Sequence, residues 1–199
     1  MTERYSLGEY DLAFFEDNQK EQYILGNFLI PKLINLFNPK TFLDVGCGAA
    51  GHVDIWTQHN VKGYGIEGSM AAKDLSPTSV NGNILYADLR DKLDAPVFDD
   101  IDLLQSFEVA EHIETEFADI YIHNMVIHNP KYIVMTAAGL HQFGTFHVNC
   151  QKKEYWVDRI TQSNYNIRED LENKILSWGR PSECPRWWPE NLMVFSREQ

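Results

Sequence analysis

Apolar runs of strand length alternate with segments of helical periodicity along most of the chain. The runs lie at residues 41–45, 63–67, 84–87, 101–107 and 131–137, and two further strands are predicted within 164–170 and at 191–198. The run IDLLQSF at 101–107 has almost no polar alternation, which is typical of a strand buried on both faces. Alternation of strands with helices, predicted near 51–59 and 115–128, indicates a parallel α/β sheet with right-handed crossovers.

The segments on either side of this alternating region are less regular. Apolar residues recur at helical spacing between residues 18 and 37, but Pro31 lies inside this stretch. Because an interior proline costs a helix about 3 kcal/mol, we expect a break, with Pro31 in the first turn of a second short helix. Residues 1–17 are expected to form an irregular arm or short helix, which either covers a ligand site or packs as a surface flap. A helix following residue 150 is predicted with Asn149 as its cap.

The stretch FLDVGCGAAG, residues 42–51, ends the first predicted strand in a glycine-rich turn. Glycine suits a position where the backbone takes positive φ and a ligand approaches closely. Asp44, Glu67 and Asp88 each lie at the end of one of the first three strands. Ligands bind outside the carboxyl ends of the strands in such sheets, so the three acids should face one crevice. There Glu67 could accept hydrogen bonds from both hydroxyls of a ribose, and Asp88 could accept one from an exocyclic amine of a base.

Two kinds of cofactor fit a glycine turn of this type. A dinucleotide such as NAD would place its pyrophosphate near Asp44, and like charges in a low-dielectric crevice repel strongly. S-adenosylmethionine has a ribose and an adenine but carries a sulfonium and an α-ammonium in place of phosphate. The acids therefore favour S-adenosylmethionine, with an NAD-dependent oxidoreductase as an alternative.

The segment LDVGCGAAG resembles the glycine motif of the class I S-adenosylmethionine-dependent methyltransferases, and the likeness extends over about residues 20–137 and the last strand. Ala50 departs from the family pattern, which usually has a third glycine there. The resemblance implies a three-layer, Rossmann-like α/β sandwich with a mostly parallel seven-stranded sheet and an antiparallel last strand. It also implies a set of cofactor-binding residues: Asp44, Gly46, Cys47 and Gly48 at the methionine portion, Glu67 and Gly68 at the ribose, Asp88 and Leu89 at the adenine, and Ser106, Phe107 and Glu108 near the transferable methyl.

A second motif, FEVAEHIE at 107–114, follows the fourth strand. Glu108, Glu111 and His112 would share one face of a helical turn, and two carboxylates with an imidazole can ligate a divalent metal. The E-x-x-E-H string resembles that of metal-dependent O-methyltransferases, which implies Mg²⁺ or Mn²⁺ at these three residues. In the alternative interpretation the acids only favour the N-terminus of the next helix.

The loop after the fifth strand carries two histidines, His141 and His147. Because a histidine pKa lies near neutrality, either could be the general base that deprotonates the methyl acceptor, and either could complete a metal site. His112 is a third candidate for a catalytic role. A hydrogen-bonded structural role is the alternative for each of them.

Composition narrows the class of partner. The net charge of −12 opposes broad, non-specific binding to nucleic acid or anionic lipid. No stretch approaches the roughly 18 apolar residues of a membrane span, and the N-terminus does not resemble a signal peptide. The three cysteines lack metal-type spacing and favour a reducing compartment. We therefore expect a cytoplasmic protein with a small-molecule substrate and without a membrane partner.

These observations predict one methyltransferase domain over residues 1–199, with an N-terminal helical arm at 1–40 and substrate-side insertions at 138–190. The expected reaction transfers a methyl group from S-adenosylmethionine to an oxygen or nitrogen of a small acceptor, with a sugar or metabolite hydroxyl favoured. Two alternatives stay open: an RNA 2′-O-methyltransferase, and a domain that binds S-adenosylmethionine without catalysis.

Overall fold

The structure is a computed structural model, and it describes residues 10–198. Residues 1–9 of the irregular arm or short helix that is predicted over residues 1–17 lie outside the described residues. Two compact units are distinguished: an N-terminal unit up to Leu89 and a C-terminal unit from Arg90 onward. The single domain expected from the sequence stays a prediction.

The N-terminal unit contains three parallel strands in the order β3-β2-β1. Its elements are helix α1 (Leu12–Phe37), strand β1 (Thr41–Val45), helix α2 (Gly51–Gln58), strand β2 (Lys62–Glu67), two 3₁₀ turns (Met70–Leu75 and Thr78–Val80) and strand β3 (Ile84–Tyr86). Trp56 of α2 is buried and stacks on Phe42 of β1, with ring centroids 4.5 Å apart. This packing fixes α2, and with it the turn that precedes α2, against the sheet.

Helix α1 is continuous through Pro31, so the break predicted there is wrong. Leu25, Leu29, Ile30 and Leu33 form the buried face, and each of them is at most 1% exposed. Burial of such side chains contributes about 1.5–3 kcal/mol each, so the four together outweigh the roughly 3 kcal/mol cost of one interior proline. Tertiary packing therefore overrides the local penalty.

The C-terminal unit contains four strands in the order β4-β5-β7-β6. Its elements are β4 (Leu103–Phe107), two 3₁₀ turns (Ala110–His112 and Thr115–Phe117), α3 (Ala118–Val126), β5 (Tyr132–Thr136), α4 (Lys153–Thr161), β6 (Tyr165–Ile167), α5 (Glu169–Leu176), α6 (Trp187–Glu190) and β7 (Met193–Arg197). Strands β4 and β5 are parallel, and β7 is antiparallel to both β5 and β6.

The predicted fold class is confirmed. The seven strands of the described residues form a mostly parallel sheet whose last strand is antiparallel, with helices between the strands, as in a Rossmann-like α/β protein. Within residues 10–198, no helix is both long enough and apolar enough to cross a membrane.

One local prediction in the C-terminal unit is wrong. Asn149 does not cap α4, whose N-cap is Lys152. The oxygen Oδ1 of Asn149 instead accepts hydrogen bonds from Thr115 and Gln151, at 3.0 and 2.8 Å. The strand predicted within residues 164–170 is confirmed as β6 (Tyr165–Ile167), and helix α5, which was not predicted, begins directly after it at Glu169.

Candidate functional site

The glycine-rich turn between β1 and α2 has the backbone conformation that its sequence predicts. Gly46 has φ 79° and Gly48 has φ 54°, both in the left-handed region. A Cβ atom on Gly48 would lie 2.8 Å from Oδ1 of Asn18. The amides of Gly46 and Cys47 donate to the carbonyl oxygen of Ile66, at 2.8 and 3.1 Å. These bonds join the turn to the end of β2.

Helix α1 holds the same turn from the other side through two glutamines that sequence reasoning missed. Nε2 of Gln22 donates to the Cys47 carbonyl at 3.0 Å, and the Gly51 amide donates to Oε1 of Gln22 at 2.8 Å. Nε2 of Gln19 donates to the carbonyl of Ala49 at 3.0 Å. The turn is therefore preorganised by side chains about 25–30 residues earlier in the sequence.

Glu67 lies at the end of β2, and its carboxylate is fixed by two backbone amides. Gly48 N–H donates to Oε2 and Ser69 N–H donates to Oε1, each at 2.7 Å. Burial raises the pKa of Glu67, and the hydrogen bonds from Ser69, Gly48 and Gly68 oppose this shift. An ionised carboxylate offers about four lone-pair sites, so two amide bonds leave acceptor capacity for a ligand.

The residues predicted at the methionine portion and at the adenine lie in the same unit. Asp44 is buried, and its Oδ2 lies 3.9 Å from Nδ1 of His52. Burial lowers the pKa of His52 to about 4, so this histidine is neutral at pH 7 and does not neutralise Asp44. Asp88 and Leu89 are both buried at the end of the unit. Burial raises the pKa of Cys47, which keeps this cysteine a thiol.

Ala50 also has a left-handed backbone, with φ 61°, at the N-cap of α2. A left-handed backbone costs an L-residue roughly 1–2 kcal/mol and costs glycine little. Glycine, however, loses more chain entropy on folding, which offsets part of this difference. We expect Ala50→Gly to raise the free energy of unfolding by about 0.5–1 kcal/mol and the Tm by about 2 °C. Thermal unfolding monitored by circular dichroism measures this, and the neighbouring Ala49→Gly is the matched control.

Ala49 is buried and is not among the positive-φ residues, so Ala49→Gly is expected to lower the Tm. Equal destabilisation by both glycine variants would contradict the assignment of backbone strain to Ala50.

In the C-terminal unit, the residues at the end of β4 are held by aromatic neighbours. Oγ of Ser106 and the hydroxyl of Tyr121 share a hydrogen bond of 2.7 Å. The ring of Phe107 packs against Trp187 and Trp188, with centroids 6.2 and 5.4 Å away.

Glu108 follows β4 with a left-handed backbone, φ 51°. Two amide side chains hold its carboxylate: Nε2 of Gln142 donates to Oε2 at 2.6 Å, and Nδ2 of Asn191 donates to Oε1 at 3.0 Å. Burial raises the pKa of Glu108, and these hydrogen bonds lower it in part. Neither amide was identified from the sequence, because they lie 34 and 83 residues away along the chain.

Glu111 is fully buried, with 0% of its surface exposed. Among the described residues, no donor makes a hydrogen bond of good geometry to either carboxylate oxygen, although weaker interactions with the backbone of Glu111 and Ala138 lower its pKa in part. Burial raises the pKa of Glu111 well above its ordinary value, and the charge of Glu108 raises it further. A buried polar group without a partner costs about 1–3 kcal/mol, more if it is charged, so these oxygens are the strongest indication of a ligand in this unit.

Two histidines lie beside Glu111. Ligand atoms of Glu111, His112 and His147 all lie within 4.8 Å of one another, which is compatible with one metal ion. Nε2 of His147 is 3.9 Å from Oε1 of Glu111, and the two imidazole rings contact edge to face with centroids 4.8 Å apart. Burial lowers the pKa of His112 to about 4, so His112 is neutral at pH 7, as a metal ligand must be.

The predicted histidines and acids thus separate into two groups. Glu111 and His112 come together with His147, whereas Glu108 is bound by Gln142 and Asn191 and is not in the three-residue cluster. His141 is exposed and also lies outside that cluster.

Asn149 also lies at this site, although the sequence indicated it only as a helix cap. Its backbone amide donates to the Glu111 carbonyl at 2.9 Å, as does the amide of Val148. Its Oδ1 already accepts two hydrogen bonds, which fixes the orientation of the side-chain amide and leaves the buried Nδ2 without an acceptor among the described residues.

No protein-family model matches the sequence, and no curated protein matches it. Solved structures do match. The sugar N-methyltransferase KedS8 from Streptoalloteichus sp ATCC 53650 is 13% identical with a TM-score of 0.62, over 87% of this chain and 87% of that one. An S-adenosylmethionine-dependent methyltransferase from Clostridium acetobutylicum ATCC 824 is 10% identical with a TM-score of 0.60, over 87% and 91%.

The small RNA methyltransferase HEN1 is also similar, with 17% identity and a TM-score of 0.57 over 86% of this chain and 25% of that one. At these identities the likeness is one of fold. This chain therefore has the Rossmann-like α/β fold of the S-adenosylmethionine-dependent methyltransferases.

Proposed function

We propose that this protein is an S-adenosylmethionine-dependent methyltransferase. The observation that carries the proposal is the carboxylate of Glu67, fixed by the amides of Gly48 and Ser69 at 2.7 Å beside the glycine turn. A rigid buried carboxylate in that position suits the two hydroxyls of a ribose. The nearby Asp44 is buried beside a neutral histidine, so it favours a cationic tail over a pyrophosphate.

The methionine, ribose and adenine portions of the cofactor are assigned to residues of the N-terminal unit. Asp44 with the turn residues Gly46, Cys47 and Gly48 is assigned to the methionine portion. Glu67 and Gly68 are assigned to the ribose, and Asp88 and Leu89 to the adenine. When bound, S-adenosylmethionine supplies an electrophilic methyl group on its sulfonium. The turn stays rigid because Gln19 and Gln22 hold its carbonyl oxygens.

The three-residue cluster in the C-terminal unit fits a divalent metal. Its ligand set would be one carboxylate and two imidazoles, from Glu111, His112 and His147, and the oxygens of Glu111 are buried without a donor. This set suits Mn²⁺ or a similar transition metal at least as well as Mg²⁺, which prefers oxygen ligands. A metal held there would supply positive charge to oxygen atoms of the methyl acceptor.

The acceptor is proposed to be a small molecule that reacts through an oxygen or nitrogen, with a sugar or metabolite hydroxyl favoured. Nδ1 of His147 lies 2.8 Å from the Gln142 carbonyl, so in the neutral ring Nδ1 carries the proton and the lone pair is on Nε2. That lone pair is suited to binding a metal or to accepting the acceptor's proton. Asn149 offers its unpartnered Nδ2 as a donor to an acceptor oxygen.

A thermal-shift screen tests the cofactor assignment. At concentrations a hundredfold above Kd, S-adenosylmethionine and S-adenosylhomocysteine are expected to stabilise the protein by about 2.7 kcal/mol, which raises the Tm by roughly 5–10 °C. NAD is expected to leave the Tm unchanged. A shift with NAD alone would indicate an oxidoreductase. Tight S-adenosylmethionine binding without S-adenosylhomocysteine formation from any offered acceptor would indicate a non-catalytic binding domain.

RNA 2′-O-methylation is the second candidate, because one similar structure is a small RNA methyltransferase. The net charge of −12 opposes it, since RNA affinity depends on neutralising phosphates with basic side chains. RNA binding that weakens steeply with salt, together with methylation of a terminal ribose, would favour this candidate over a small acceptor.

A further inference from the structure

Gln142 contacts two different candidate site residues through two different parts of itself. Its side-chain amide donates to Oε2 of Glu108 at 2.6 Å. Its backbone carbonyl lies 2.8 Å from Nδ1 of His147. The loop after β5 thus joins the segment after β4 to the histidine of the cluster through a single residue.

The side-chain contact is reinforced by Asn191, which precedes β7. Nδ2 of Asn191 donates to Oε1 of Gln142 at 2.7 Å and to Oε1 of Glu108 at 3.0 Å. Because Oε1 of Gln142 accepts from Asn191, its Nε2 must face Glu108, so the orientation of the amide is fixed. The triangle of Glu108, Gln142 and Asn191 therefore anchors Gln142 at one place in the unit.

The backbone contact fixes the His147 ring. A carbonyl acceptor at Nδ1 keeps the proton there and leaves the lone pair on Nε2, the nitrogen that faces Glu111 at 3.9 Å. The ring also lies over Gly144, where an added Cβ would be 2.3 Å from Nε2. The position and the tautomer of His147 both depend on this loop conformation.

We propose that Gln142 is a positioning residue that sets His147 for ligation: the side chain of Gln142, anchored by Glu108 and Asn191, holds its own carbonyl under Nδ1 of His147. The inference rests on the proposed metal site and deepens it. It assigns Glu108 a supporting role in the metal-free protein, as the anchor of Gln142. Hydrogen-bond partners of this kind orient metal-ligating histidines and raise their basicity.

The first test measures Mn²⁺ affinity of the full chain by electron paramagnetic resonance. Loss of an outer-shell partner typically weakens metal binding about 10–100-fold, and this loss is expected for Gln142→Ala and for Asn191→Ala. Gly144→Ala, which displaces the His147 ring without touching the triangle, is the positive control. Gln162→Ala, at an exposed position, and Gly139→Ala, where a Cβ meets nothing within 4 Å, are the matched neutral controls.

The second test needs no metal and separates this inference from the proposed function. In ¹⁵N NMR spectra of the histidine rings, wild-type His147 is expected to be a single tautomer with the proton on Nδ1, and Gln142→Ala is expected to give a mixture. Circular dichroism establishes that the variant is folded. An unchanged Nδ1 tautomer in folded Gln142→Ala overturns the proposal. If wild type has the expected tautomer but does not bind Mn²⁺, the metal site fails while the positioning role stands.

Discussion

Replacing Glu67 with glutamine is expected to weaken S-adenosylmethionine binding about 100-fold. Hydrogen bonds to a charged group contribute about 1.5–3 kcal/mol each, and a loss of roughly 2.8 kcal/mol corresponds to two decades in Kd. The variant keeps one carbonyl oxygen, but its NH₂ group would face a backbone amide, from Gly48 or Ser69, that now donates to the carboxylate. Isothermal titration calorimetry with S-adenosylmethionine and S-adenosylhomocysteine measures the change.

The matched control is Glu21→Gln, an exposed glutamate of α1 with the same change of charge. It is expected to bind both ligands as wild type does. Glu67→Gln is also expected to lower the Tm without ligand, because one of the two buried amides loses its acceptor, so binding is compared well below the Tm of both variants. Wild-type affinity in folded Glu67→Gln would exclude the ribose assignment.

The strands were predictable because their signal is local. Runs of four to seven mostly apolar residues, such as IDLLQSF, form strands wherever a sheet can bury them, and β4 lies inside that run. The glycine turn was predictable for the same reason, since Gly46 and Gly48 both have the positive φ that their spacing indicates. Where the local conformational preference of a segment agrees with its burial in the fold, the sequence is sufficient to predict its secondary structure.

The failures arise where tertiary contacts outweigh local preference. Pro31 predicts a break, yet the apolar face that contains Leu29, Ile30 and Leu33 is buried, and the helix continues. Asn149 looks like a cap, yet its side chain accepts from Thr115 instead. Helix α5 had a signal that was overlooked: three acids in its first turn, which favour a helix N-terminus.

In the candidate site, the sequence identified residues but not their contacts. The pairing of Glu111 with His112 follows from their adjacency, and His147 was a candidate because its loop follows β5. Which acid would lack a donor could not be predicted, since the partners of Glu108 come from distant segments. Such contacts depend on the folded chain and leave no periodic pattern in the sequence.

Replacing Glu111 with glutamine is expected to abolish stabilisation by Mn²⁺. In wild type, Mn²⁺ at a hundredfold excess over Kd should contribute about 2.7 kcal/mol and raise the Tm by roughly 5–10 °C, whereas the variant lacks the one carboxylate of the cluster. Differential scanning fluorimetry with and without Mn²⁺ measures this. The matched control is Glu116→Gln, at an exposed position nearby, which should respond as wild type does.

Glu111→Gln is also expected to change the pH dependence of the free energy of unfolding of the metal-free protein. Burial holds the pKa of Glu111 well above its ordinary 4.5, so above pH 4.5 the folded protein keeps a proton that the unfolded chain releases, and stability falls as pH rises. His112, whose pKa burial lowers to about 4 from 6.5, gives the opposite slope between those values. Because His112 is present in both proteins, its contribution cancels when the free energy of unfolding of wild type is subtracted from that of Glu111→Gln. Urea unfolding from pH 5 to 8 measures the free energy of unfolding of both proteins. That of the variant is expected to rise relative to wild type as the pH increases. If both proteins show the same pH dependence, Glu111 is not held as a buried acid.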